Sequence, residues 1–153
     1  GDSGLRLTVQ RLLNQAKGVL AGRDGLSLDG GELFNGDGGR LDSQNSLSVS
    51  LGGVLDNQGG ALVSEGSLTA RAARLDNRGG VLVADAGLSA TGGAFDNRDG
   101  GSASGKAGVR VEVASLRNDQ GGKLLSDGRL DLAANAVGNA GGRIAAKGDL
   151  QAT

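Results

Sequence analysis

The marker Leu-Asp-Asn, followed within four residues by Gly-Gly, returns along this chain at an interval that few folds can accommodate. It reads Leu55-Asp56-Asn57 before Gly59-Gly60, Leu75-Asp76-Asn77 before Gly79-Gly80 and Phe95-Asp96-Asn97 before Gly100-Gly101. Weaker copies complete a series of asparagines at Asn14, Asn35, Asn57, Asn77, Asn97, Asn118 and Asn139, spaced by 21, 22, 20, 20, 21 and 21 residues. A period this constant, filling residues 1–153 without a linker, is the signature of stacked repeats forming one continuous segment.

Inside each period, apolar and polar residues alternate in three short bursts bounded by Gly, Asn or Asp. In the unit from Asn57 to Asn77 these are Ala61-Leu62-Val63, Leu68-Thr69-Ala70 and Arg74-Leu75-Asp76. Period-two alternation over so few residues specifies strands, and glycine at this density is incompatible with helices. A strand of three or four residues is unstable alone, and one unit cannot bury its own apolar face. Stacking equivalent strands solves both problems. The predicted fold is all-β, a parallel β-helix of about seven coils with three short strands per coil, forming a rod of roughly 34 Å at the usual strand spacing. Three inward ladders are expected, running from Leu12 to Val137, from Leu20 to Ile144 and from Leu26 to Leu150. The second ladder contains Ala103 where its neighbours have Leu82 and Leu124, so that coil is expected to be thin and weak.

Composition narrows the function. Among 153 residues there is no His, Cys, Pro, Met, Trp or Tyr, which removes thiolate nucleophiles, imidazole bases and nitrogen or sulfur metal ligands. Paired carboxylates such as Asp24 with Asp29, or Asp127 with Asp131, are spaced as any charged surface spaces them, and no catalytic, cofactor-binding or metal-ligating residue is assigned. Sixteen Lys and Arg against 17 Asp and Glu, without a block of one sign, argue against nucleic acid as a partner. No apolar run reaches the length of a membrane span, so membrane insertion of this segment is not expected. Ice binding requires flat Thr ladders, and there are only four Thr.

Units reading Leu-Asp-Asn-Arg-Gly-Gly, then Leu-x-Ala/Ser-x-Gly-x-Leu, resemble the repeats of the filamentous haemagglutinin and adhesin family, shared by contact-dependent growth inhibition exoproteins of Gram-negative bacteria. The likeness is strongest over residues 33–100 and departs at 101–115, where Ala103 replaces the Leu after Gly-Gly. It implies a right-handed parallel β-helix that is a fragment of a much longer secreted filament. It also implies export through the outer-membrane transporter of a two-partner secretion system and display on the bacterial cell surface, where the parent protein meets a host or neighbouring bacterial cell.

On this reading the segment is a structural shaft, not an enzyme, and needs no cofactor. The alternative is a binding module that recognises a host glycan or target-cell receptor through Arg71, Arg74, Arg78 and Arg98. The asparagine column is expected to be structural, capping turns and pairing amide to amide between coils. Asp56, Asp76 and Asp96 are expected to lie on one solvated face, too sparse in oxygen ligands for calcium. Leu13 and Phe34 occupy the outward position that Asp holds later, and are expected to be covered by residues 1–11 or by a preceding coil, the alternative being a contact patch for another protein.

Overall fold

A computed structural model describes residues 4–153. Each coil is a short arm and a long arm. The short arms are β2 (Val19–Gly22), β4 (Arg40–Ser43), β7 (Ala61–Ser64), β9 (Val81–Ala84), β11 (Ser102–Gly105), β13 (Lys123–Ser126) and β15 (Arg143–Ala146). The long arms are β1 (Leu5–Leu13), β3 (Gly25–Phe34), β8 (Leu68–Asp76), β10 (Gly87–Asp96), β12 (Gly108–Arg117) and β14 (Arg129–Gly138). In the third coil the long arm is split into β5 (Ser46–Leu51) and β6 (Val54–Asp56), and the last is only begun, as β16 (Leu150–Ala152).

All neighbours pair in parallel, giving a wide sheet of nine strands and a narrow sheet of seven, stacked as a β-solenoid. The three bursts per period are present, but the second and third join in one strand that bends between them, so two sheets wrap the core. The bend is visible in the burial of β8: Leu68, Ala70 and Ala72 point inward, then both Ala73 and Arg74 point out before Leu75 turns in. Two successive outward residues turn the strand through a corner without breaking its ladder.

The expected ladders hold in register from coil to coil. Leu33 pairs with Leu55, Leu55 with Leu75, Leu75 with Phe95 and Phe95 with Leu116. Leu41, Leu62, Leu82, Ala103 and Leu124 align across the narrow sheet. A further inward column runs through Leu28, Val49, Ala70, Ala90, Val111 and Leu132. Together they form one unbroken core in which the inner coils are all but sealed from solvent, each fully buried Leu contributing about 1.5–3 kcal/mol.

The coil of Ala103 is not thin. Ala103 is fully buried, and the same coil carries Val111 and Val113 where the preceding one has Ala90 and Gly92 in register. Side-chain volume lost on the narrow sheet is regained on the wide one, and the cross-section stays filled.

The corner after each asparagine explains the uneven period. Turns of three residues follow Asn57, Asn77 and Asn139, with one left-handed residue each: Gly59 (φ 69°), Gly79 (φ 63°) and Gly141 (φ 74°). Turns of four follow Asn14, Asn35, Asn97 and Asn118 and carry two, such as Asp99 (φ 56°) with Gly100 (φ 78°). The longest interval, Asn35 to Asn57, adds an extra residue at Gly52-Gly53. There the β5–β6 break sets two residues against one in β8 while Leu55 stays in register with Leu75, a β-bulge.

Residues 5–13 form β1 and extend the stack, so they do not fold back over the side. Leu13 pairs in register with Phe34 and remains 64% exposed, while the Arg11 guanidinium lies 5.8 Å from the Phe34 ring centre.

Candidate functional site

The most ordered polar feature is the corner built on the asparagines. Each backbone N–H of Asn14 to Asn118 donates to the long arm of the next coil, as Asn57 does to the Asp76 carbonyl at 2.7 Å, which turns the side chain inward. Every amide from Asn14 to Asn118 then donates to the Oδ1 of the next asparagine at 2.8 to 2.9 Å. The same Nδ2 also meets a carbonyl at the head of the next short arm, such as Val81 for Asn57 and Ser102 for Asn77. Asn35, Asn57, Asn77, Asn97 and Asn118 are essentially inaccessible. The ladder is a dry hydrogen-bonded spine along one edge, with every amide pointing the same way, and it offers no surface to a ligand.

Outside the spine, the aspartate before each of three asparagines caps the turn. Asp56, Asp76 and Asp96 accept from the backbone N–H two residues on, at 3.0, 3.3 and 3.2 Å. The column is not a solvated face. Asp76 and Asp96 are buried beneath bidentate guanidinium groups: Arg78 grips Asp76 at 3.0 and 2.9 Å, and Arg98 grips Asp96 at 2.9 and 2.7 Å. Arg78 also reaches Asp96 in the next coil at 3.7 Å. Burial pushes the Asp96 carboxyl upward, but hydrogen bonds from the Arg98 side chain and backbone, with both positive charges, hold it below the usual carboxylate range. In the following coil the order reverses, Arg117 standing in register with Asp96 and Asp119 facing Arg117 at 3.6 Å.

Of the four arginines proposed as a binding face, the fold therefore commits Arg78 and Arg98 to internal ion pairs. Arg71 and Arg74 are exposed on β8, on opposite sides of its bend, and neither has a carboxylate partner among the described residues.

A second corner escaped the sequence reading. Ser43, Ser64 and Ser126 sit buried at the ends of short arms, each hydroxyl donating to the carbonyl three residues on and accepting the N–H two residues on. Gly22 and Gly105 replace serine where the carbonyl three residues on occupies the space of a side chain: a Cβ on Gly105 would fall 2.4 Å from the Gly108 carbonyl oxygen. The Ser-x-x-x spacing within a turn was the available signal, hidden because only three of seven coils carry it.

Several other charged groups are paired across or along strands. In the depression on the wide sheet near its last coils, Glu112 is held by Arg110 and Asp131 by Arg129. Asp127 is held by Lys147. Among the described residues no group of three or more acidic side chains converges as a metal site would require, and no helix is long and apolar enough to cross a membrane.

No curated protein and no solved structure matches the chain. The family model of the haemagglutinin repeat matches it three times, over residues 1–59, 38–100 and 96–153, each match spanning about three coils and the three together covering every coil. By sequence and by its stacked parallel architecture, the chain belongs to the haemagglutinin repeat family.

Proposed function

We propose that this chain is a shaft segment of a large secreted surface adhesin or contact-dependent growth inhibition exoprotein, and that it holds a distal adhesive or toxic module away from the cell. The observation that carries this reading is the constancy of the cross-section. Core ladders and the asparagine spine pass through every coil, and polar side chains are consumed in holding one coil to the next. Such a stack gains stability coil by coil and transmits load along its length. Export through an outer-membrane two-partner transporter and display outside the cell belong to the same proposal, supported by the family.

A second reading, direct recognition of a glycan or receptor, is favoured by Arg71 and Arg74, which are exposed without acidic partners. The test is binding of the isolated chain to immobilised glycans and to target cells, beside an Arg71→Ala/Arg74→Ala variant. A shaft gives no saturable binding with either protein. Saturable binding that the double variant loses would transfer the function to this face.

A further inference from the structure

Asn35 is followed by Gly36, and no other asparagine in the chain precedes a glycine. The turn does not require this glycine. Turns of the same length after Asn14, Asn97 and Asn118 open with Gln15, Arg98 and Asp119, and Gly36 is not among the left-handed residues of its turn, which are Asp37 and Gly38. A Cβ at Gly36 would have one neighbour within 4 Å, the Gln58 carbonyl oxygen at 3.0 Å, which a shift of a few tenths of an ångström relieves.

The distinction of an Asn-Gly pair is chemical. With no side chain to shield it, a glycine nitrogen reaches the preceding asparagine side chain more readily than any other residue's does. The Gly36 nitrogen attacks Asn35 Cγ and forms a ring C–N bond. The Cγ–Nδ2 bond breaks, and Nδ2 leaves as ammonia with the proton that the Gly36 nitrogen gives up. Water then opens the succinimide at either carbonyl, leaving aspartate or isoaspartate.

The folded corner blocks each stage. The Asn35 amide donates to the Gly39 carbonyl at 3.2 Å, to Asn57 Oδ1 at 2.9 Å and to the Ala61 carbonyl at 3.1 Å, while its Oδ1 accepts from Asn14 at 2.8 Å. Those bonds hold the side chain inward, and Asn35 and Gly36 are both buried away from water. The products, in turn, cannot rebuild the corner. Aspartate has no donor for the three acceptors and sets a buried carboxylate against Asn57 Oδ1. Isoaspartate carries the main chain through Cγ, which lengthens the turn and removes the spine side chain.

We propose that Asn35-Gly36 is a self-modification site of the unfolded chain, shut by folding, whose use bars return to the native rod. The second coil thereby keeps an irreversible record of time spent unfolded, whether the rod serves as a shaft or as a binding module.

The test holds the full chain in mildly alkaline buffer with and without urea, follows Asn35 by peptide mass spectrometry, and refolds each sample. Conversion should be at least about tenfold slower in the folded rod, where only locally opened molecules react. Converted molecules should be missing from the refolded fraction. An Asn35→Asp chain should unfold at lower urea than an Asn45→Asp chain, altered at an exposed asparagine of the same coil. Gly36→Gln, which copies Gln58 of the next coil, should still refold after incubations that leave the parent unable to do so. Equal conversion of Asn35 in both conditions, converted chains that refold with the parent's midpoint, or a Gly36→Gln chain that loses refolding as fast as the parent would each overturn the proposal. The first two readouts need only the parent protein.

Discussion

Asn77 donates its side-chain amide to the Oδ1 of Asn97 at 2.8 Å, across a coil boundary and out of reach of water. Its own Oδ1 accepts from Asn57 at the same distance. Truncating Asn77 to Ala therefore orphans a buried donor above and a buried acceptor below, each worth about 1–3 kcal/mol. We expect Asn77→Ala to destabilise the rod by about 2–5 kcal/mol, and Asn139→Ala, at the exposed end, by about 1 kcal/mol or less. Urea unfolding of both variants measures the difference. Equal costs would mean that the spine contributes little beyond its backbone bonds.

Acid should attack the Asp96 corner. The folded carboxyl titrates below its unfolded value, near 3.9 for aspartate, so its contribution is complete above that value. It is lost as pH falls through the lower, folded one. Asp96→Asn should lower stability at neutral pH and flatten the acid limb of a stability profile between about pH 5 and pH 2. An unchanged acid limb would relieve Asp96 of that role.

Ala103 is enclosed between Leu82 and Leu124 in a coil already filled by Val111 and Val113. Ala103→Leu should overpack it, costing about 1–3 kcal/mol, and adding Val111→Ala should restore part of the loss through coupling within one coil. Thermal unfolding of the single and double variants reads this. A stabilised single variant would reveal an unfilled space beside Ala103.

Gly79 and Gly80 are adjacent but glycine for different reasons. Gly79 has φ 63° and its absent Cβ has room, the nearest atom being the Asp99 carbonyl oxygen at 3.6 Å. Gly80 would place a Cβ 2.1 Å from the Asn57 carbonyl oxygen. Gly79→Ala should cost about 1 kcal/mol, a purely conformational penalty. Gly80→Ala should cost several times more, because backbone must move and the spine with it. Denaturant melts of the two proteins give the ratio, and comparable costs would count against the tight approach at Gly80.

Much of this architecture was legible because a solenoid repeats its own answer. Residues one period apart are neighbours, so the spacing of Asn57, Asn77 and Asn97 carried register, and register carried the ladders. What escaped depends on relations that a period cannot express. Asp76 looks like any surface carboxylate until Arg78 folds over it, since burial here comes from a side chain two residues away. Ala103 looks deficient until Val111 is placed across the core from it, because packing is balanced within a coil and not along a column. The joining of two bursts into one strand rests on Ala73 and Arg74 both turning outward, a local departure from alternation that reads in sequence as a gap.

The bulge at Gly52-Gly53 shows where this rod tolerates growth. An added residue there leaves Leu51 in register behind it and Leu55 in register ahead, and a side chain at Gly52 would meet nothing within 4 Å. Coil length is thus free to vary at that point while the stack keeps its pitch. An inserted peptide would stand clear of the wall, so the third coil can lengthen sideways without disturbing the coils on either side of it.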